Sequence, residues 1–516
     1  MRHRRVLRGV LALGTSVTLA CALCSSAGAA ARVQTSDASN GSAFVVASTS
    51  GVQNLDPDTV TNLVDFQALG LVYGQLVRYD SKLQLVPDLA TNWAFSDGNR
   101  AITFQLRRGV TFDDGSVFSS ADVVASLDRA LAPKTGDASA SYLSAVKSIV
   151  ASGRYVVKLV LSRPDSSILS GLTSVNLSML SVKAITAGTV ETKPDGTGPY
   201  LFSSWRPGNY MVLNANRHYW GGSVKQATVK IEMMPTAGSI ATAIKANAVQ
   251  LGLLTQPGVA QRLTGYKVQK VPDLSYRALM LQDRTGPLAN VNNRRALECA
   301  INREHVIDDA VSGQGRVAGP IPVGPFASDP VSVVCPTTNL VAAKNYLVAA
   351  GDPSGFSFTA ITSAALDPTS LAQAQAAQSE LAQVGIKMNI HNLASAAYDQ
   401  LWLSGDFQAA FAWNGADPDP YTMYGRYFGQ NADLAVSAGY SSLRLQSLLA
   451  EGEASSSLVA RLMYYRELSA TLTRNAVWVW LFTTYDYAVV GHGVHGFTFL
   501  PSLTDSLQTL SSTSVS

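Results

Sequence analysis

Residues 102–107 alternate without a break: Ile102, Phe104 and Leu106 are apolar, and Thr103, Gln105 and Arg107 are polar. A period of two predicts a strand with one face on a core and the other in water. Asp97-Gly98 before it and Asp113-Asp114-Gly115 after it are turn signals. The period then changes, and Ser119 or Ser120 is placed to cap a helix carrying Val123, Val124, Leu127 and Ala130 on one face. Further strands are expected at 43–49, at Val229, Ile231 and Met233, and at 276–282, with helices at 66–76, 239–248, 339–350 and 458–472. Between 356 and 390 the pattern is a complete β-α-β unit. Phe356 and Phe358 alternate, a helix carries Leu371, Ala374, Ala377, Leu381 and Val384, Gly385 stops it, and Ile386, Met388 and Ile390 alternate again. Residues 478–490 form an apolar strand run, and the serine-rich tail after Leu510 is expected to fray.

Residues 407–420, FQAAFAWNGADPDP, combine two kinds of signal. Phe407, Ala409, Phe411 and Trp413 predict a buried strand, and Asp417 and Asp419, each followed by proline, close it. Proline disfavours the helical region for the residue before it, so both aspartates are held extended. An indole beside fixed carboxylates suits a cationic group. The same residues also read as an Asp-Pro turn whose aspartate caps the next helix.

A chain of 516 residues exceeds one core, and about 150 residues per domain suggests about three domains. Net charge is +3, and no run of five like charges occurs. That argues against a nucleic-acid partner, which needs a clustered basic face. Arg2, Arg4, Arg5 and Arg8 precede an uncharged, mostly apolar stretch and the small residues Ala27-Gly28-Ala29, the pattern of a secretory signal over 1–31. Thr18-Leu19-Ala20-Cys21 partly resembles a lipobox, which makes Cys21 a candidate for lipidation. Residues 32–42 read as a flexible tether. Cys299 and Cys335 would survive export into an oxidising compartment, where a disulfide between them is expected.

The long ordered text from Pro87-Asp88-Leu89-Ala90-Thr91-Asn92-Trp93 through Phe112-Asp113-Asp114-Gly115 to Ser120-Ala121-Asp122-Val123 resembles the extracytoplasmic solute-binding proteins of bacterial ABC importers, family 5, which bind peptides and nickel. Gly196-Thr197-Gly198-Pro199-Tyr200, Asn214 to Trp220, and Asn293-Arg294-Arg295-Ala296-Leu297 before Ala300-Ile301-Asn302-Arg303 continue the resemblance. It implies an α/β, two-lobed periplasmic-binding-protein-like fold (type II, cluster C) with a small α+β subdomain inserted in the first lobe. Lobe I would span 43–74 and 190–272, the insert 75–189, lobe II 273–475, and the return to lobe I with its tail 476–516. It further implies capture of a small peptide or peptide-like solute by hinge closure, without a cofactor, catalysis or a metal. The partners implied are a permease and ATPase complex in the cytoplasmic membrane, and the protein would be a monomer, periplasmic or held at that membrane's outer face. A nonpeptide cargo such as a metal chelate, opine or oligosaccharide, or a sensor role, fits the same family.

Carried onto this chain, Trp413 would pack on the ligand and Asp417 would take its ammonium, with Asn414, Asp419 and Tyr421 beside them and Ser50, Gly51, Val52 and Gln53 approaching from the other lobe. One departure is visible. The family's ammonium-binding aspartate often lies three residues after the tryptophan, where this chain has Ala416. An acyl-serine enzyme is the competing class, since Ser144-Ala145-Val146-Lys147 fits S-x-x-K and Lys134-Thr135-Gly136 fits K-T-G. Their order is reversed and they lie too close together to frame such a site.

Overall fold

The structure is a computed structural model that describes residues 43–255, 257–327, 334–415 and 417–516. The expected signal, the tether and Cys21 lie outside the described residues. Strand β1 (Phe44–Ser48) starts the first lobe, and after the helix Leu63–Leu69 the chain leaves it. A short hairpin of β2 (Val77–Tyr79) and β3 (Leu85–Pro87) leads into β4 (Ala90–Ser96), β5 (Ala101–Leu106), the helix Ser120–Leu131, β6 (Val146–Ala151) and β7 (Val156–Leu161). The last four strands form an antiparallel sheet in the order β4-β5-β7-β6. The alternation in β5 turns Ile102 and Phe104 onto Val123, Leu127, Val157 and Leu159, a core separate from those of the lobes. Ser119 caps the helix in a box with Asp122, whose carboxylate accepts from the Ser119 backbone N–H at 2.9 Å.

The chain then returns through β8 (Tyr200–Arg206), β9 (Tyr210–Ala215), β10 (Thr228–Met233), β11 (Leu251–Leu254) and β12 (Lys267–Pro272). A second lobe follows: β13 (Ser275–Leu281), β14 (Arg316–Val317), β15 (Ser357–Thr362), β16 (Lys387–Asn392), β17 (Ala409–Gly415) and β18 (Trp478–Thr483). Finally β19 (Tyr485–Val490) rejoins the first sheet. The first sheet runs β12-β19-β11-β1-β10-β9-β8 and the second β14-β18-β13-β17-β15-β16. The β-α-β unit read from the sequence is the parallel pair β15 and β16 with the helix Ser370–Ala382 between them.

The chain thus passes between lobes twice, at 273–274 and at Thr484. The two passages are tied: the Asp273 N–H donates to the Thr484 carbonyl at 3.0 Å, and Thr483 Oγ1 donates to the carbonyl of Ser275 at 2.6 Å. The return to lobe I therefore comes later than residue 476. Trp478 and Trp480 are fully buried in lobe II, their strand paired with β13, and their indole N–H groups donate to the Ala438 carbonyl and to Tyr424 Oη. The tail differs from expectation too. Leu507, Leu510 and Thr513 are fully buried, and Val494–His495 pairs with Ser514–Val515. The Lys225 N–H donates to the Ser511 carbonyl at 2.8 Å, so hydroxyl-rich sequence here is docked by its backbone.

Cys299, at the end of the helix Val291–Ala300, is bonded to Cys335 across a sequence separation of 36 residues. A crosslink of that span removes chain entropy from the unfolded state, and its loss is expected to lower the stability of lobe II by about 3 kcal/mol. The Cys299→Ala/Cys335→Ala variant should show that drop in urea unfolding, whereas an unchanged midpoint would exclude a stabilising role.

Candidate ligand cleft

Parallel strands direct their carboxyl ends to one side, and open α/β sheets bind ligands there. In lobe I, β1, β10 and β11 run parallel and end at Ser48, Met233 and Leu254. Strand β12 is antiparallel to β19, which is antiparallel to β11, so β12 runs the same way and ends directly before the first crossing. In lobe II, β15, β16 and β17 are parallel and end at Thr362, Asn392 and Gly415. Gly415 pairs with Ser275, which directly follows that crossing. Both sheets therefore turn their carboxyl ends to the paired crossings, and the cleft lies between them.

Trp413 is the penultimate-but-one residue of β17 at that end, and it is 55% exposed. Of the lobe II residues expected at the ligand, it alone is exposed. Asn414 points to the opposite face: its Oδ1 accepts from Tyr427 Oη at 2.6 Å, and it is buried. Asp417 reaches across to the inserted subdomain, where its Oδ1 accepts from Ser170 Oγ at 2.6 Å and from the Asp419 N–H at 2.8 Å. Burial pushes its carboxyl up to about 7, against the hydrogen bond from Ser170. Asp419 caps the helix Pro420–Phe428 through the Tyr421 N–H at 2.9 Å and forms a buried ion pair with Arg461. The Tyr421 hydroxyl lies beside Arg163 and Glu453 at the same contact, and Arg163 is ion-paired to Glu453 at 3.0 Å. Helix capping is thus the role the structure gives Asp419. Asp417, through Ser170, and Tyr421, beside Arg163, join lobe II to the insert.

On lobe I, a Cβ at Gly51 would lie 2.4 Å from the carbonyl carbon of Gly208, so only glycine fits against the β8–β9 hairpin. The Val52 carbonyl accepts from the Gly208 N–H at 2.8 Å and from Trp205 Nε1 at 3.0 Å. The Gln53 N–H donates to Asp65 Oδ1 at 2.8 Å. Gly51 and Val52 are buried in holding this loop after β1, and Ser50 and Gln53 are exposed.

Sequence reasoning missed Arg277. It lies directly across from Trp413 in the β13–β17 register, with its guanidinium carbon 5.9 Å from the indole centroid. Alternation puts both on the face that carries Leu279 and Phe411, at its cleft end. Nη1 donates to Asp273 Oδ2 at 3.2 Å, Ser275 Oγ at 2.9 Å and Thr484 Oγ1 at 3.0 Å, so one nitrogen ties both crossings. Asp367 Oδ2 lies 3.7 Å from Nε. Asp486, at the start of β19, is pushed up to about 7 by burial and by Asp273, against Arg277. A charged residue inside the apolar run SYRALML was the available signal.

Among the described residues, no group of three or more His, Cys, Asp or Glu could hold a metal ion. His492 instead stacks on Tyr266 at 4.4 Å, and His495 meets Ser516 Oγ at 3.2 Å. Ser144 and Lys147 are exposed where β6 begins, and Ser144 Oγ has no hydrogen-bond partner among the described residues.

The chain is 26% identical over 486 residues to the probable D,D-dipeptide-binding periplasmic protein DdpA of Escherichia coli K12, covering 89% of this chain and 92% of that one. Its fold matches that of HbpA2 from Haemophilus parasuis with a TM-score of 0.82 at 22% identity, over 92% of this chain and 100% of that one. It also matches DppA from Helicobacter pylori, solved with the peptide STSA, with a TM-score of 0.69 at 24% identity over 92% of this chain and 98% of that one. A family model described as bacterial extracellular solute-binding proteins, family 5, matches residues 84–434. With two α/β lobes that turn their strand ends to a shared pair of crossings, and a match across most of its length, the chain belongs to the bacterial extracellular solute-binding proteins of family 5.

Proposed function

We propose that this protein captures a small peptide or peptide-like solute between its lobes outside the cytoplasm and passes it to the permease and ATPase of an ABC importer, acting as a monomer. The observation that carries the reading is the exposed indole of Trp413 at the carboxyl end of the lobe II sheet. A dipeptide-binding relative that aligns over most of both chains favours peptide over other cargo. Closure needs a guest that touches both lobes, because only a ligand with higher affinity for the closed state shifts the population. The Gly51 contact keeps the loop after β1 rigid, and the short passages at 273–274 and Thr484 supply the hinge. Among the described residues, no helix is long and apolar enough to cross a membrane.

Native mass spectrometry of the protein purified from cells grown on peptide-rich medium tests this. Release of masses matching di- to tetrapeptides is expected on denaturation, with affinities of about micromolar or tighter for the same peptides in calorimetry. Co-purification of a haem, metal chelate or sugar alone, with no heat on peptide addition, would overturn the peptide reading.

A further inference from the structure

A guanidinium offers five N–H donors in a fixed plane. Arg277 has committed one nitrogen, Nη1, to three acceptors on the two crossings. Its Nε is buried without a hydrogen-bond partner, and Nη2, which is not buried, has none among the described residues. Nη2 therefore keeps its N–H donors available, and a guest that supplies an acceptor oxygen can meet them there. The side chain is only 12% exposed, and its open part lies beside the exposed Trp413 ring. Asp273, Asp367 and Asp486 already face the positive charge. An incoming oxygen therefore need bring no negative charge of its own.

Resting on the peptide reading above, we propose that Arg277 Nη2 and the Trp413 ring form a subsite for a planar group bearing an acceptor oxygen, a peptide amide or the terminal carboxyl of the guest. The indole covers the flat face of the group while Nη2 donates to its oxygen. Because Nη1 of the same guanidinium holds Asp273 and Thr484, the contact sits directly on the hinge. The flanking carboxylates favour the neutral amide over the carboxylate as the source of that oxygen.

The probe is a pool of Ala-Xaa-Ala tripeptides, in free-acid and C-terminally amidated forms, titrated calorimetrically into the wild type and into Arg277→Lys and Trp413→Leu. Lysine carries three donors on one nitrogen, enough for Asp273, Ser275 and Thr484, so Arg277→Lys keeps the hinge ties and loses only the second nitrogen. Expected are ligand-free melting temperatures close to the wild type for both variants, together with peptide binding weaker by about tenfold or more. Equal binding of acid and amide by the wild type assigns the oxygen to a backbone amide; a loss confined to the amide assigns it to the terminal carboxyl. Wild-type affinity in both variants overturns the subsite and leaves the peptide reading intact. Failure of the wild type to bind either pool overturns the peptide reading and the subsite with it.

Discussion

Replacing Arg461 by methionine is expected to destabilise lobe II by about 3–5 kcal/mol, the range for removing one partner of a buried ion pair. The Arg461 and Asp419 side chains are 9% and 5% exposed, so the carboxylate would be left without a counter-charge and without water. Arg461 also donates from Nε to the Gly452 carbonyl at 3.1 Å and from Nη2 to Tyr465 Oη at 3.2 Å, and it lies over the Phe326 ring at 5.0 Å. Methionine restores part of the packing and none of the charge. Asp419→Asn alone keeps a good helix cap for Tyr421 and orphans the arginine instead. The double variant Asp419→Asn/Arg461→Met should therefore be more stable than Arg461→Met, because it removes both charges together. Urea unfolding of the four proteins completes the cycle. A loss below about 1 kcal/mol in Arg461→Met would show the pair to be solvated and would return Asp419 to the list of residues free to meet a ligand.

The contrast between Asp419 and Arg277 shows which parts of the site could be read from the sequence. A cap is local: aspartate before proline at a strand's end implies its own partner two residues on, and the Tyr421 N–H is that partner. The amphipathic strand at β5 and the β-α-β unit at β15 and β16 were legible for the same reason, since their periods are set by neighbours in the chain. The period alone places Trp413 in a buried strand, and only the family resemblance sets it against a ligand. It occupies the apolar phase of β17 with Ala409 and Phe411, which are buried, and only its place at the sheet's end leaves it open. Arg277 lies in a strand that was anticipated, yet its neighbour across the sheet is more than a hundred positions away in sequence, and pairing register is not written in either strand alone. Ser170 and Asp417 are separated by 247 positions, so the capture of Asp417 by the insert had no local signature. The tail failed for another reason. Composition marks serine and threonine as solvent-loving, while Thr509 Oγ1 here donates to the Thr498 carbonyl at 2.6 Å and the backbone around it is paired.

Asp417→Asn is expected to make the protein more stable than the wild type at pH 8, by up to about 4 kcal/mol, and to leave it no more stable at pH 4. In the native state burial holds the Asp417 carboxyl at about 7, while an unfolded aspartate releases its proton near 3.8. Between those values the native state binds more protons than the unfolded one, so stability falls as pH rises through the window. Below it both states are protonated and the contribution is constant; above it the native state must carry the charge. Facing the carboxylate from the insert are Ser170, Tyr79 and Tyr142, and from lobe II Asp419 and Arg461. Arg461 is already committed to Asp419, so it offsets the charge of Asp417 only in part. Asparagine carries no charge and can still accept from Ser170 Oγ through its carbonyl oxygen, so the contact between insert and lobe II survives the exchange. Glu453, held at about 8 by burial and by Asp165, against Arg163, continues to titrate in the variant and leaves a shallower slope of the same sign. Denaturation midpoints measured from pH 4 to pH 8 should therefore diverge as pH rises, with the variant the more stable. Parallel profiles would mean that Asp417 is hydrated in the native protein, which is incompatible with a sealed contact between insert and lobe.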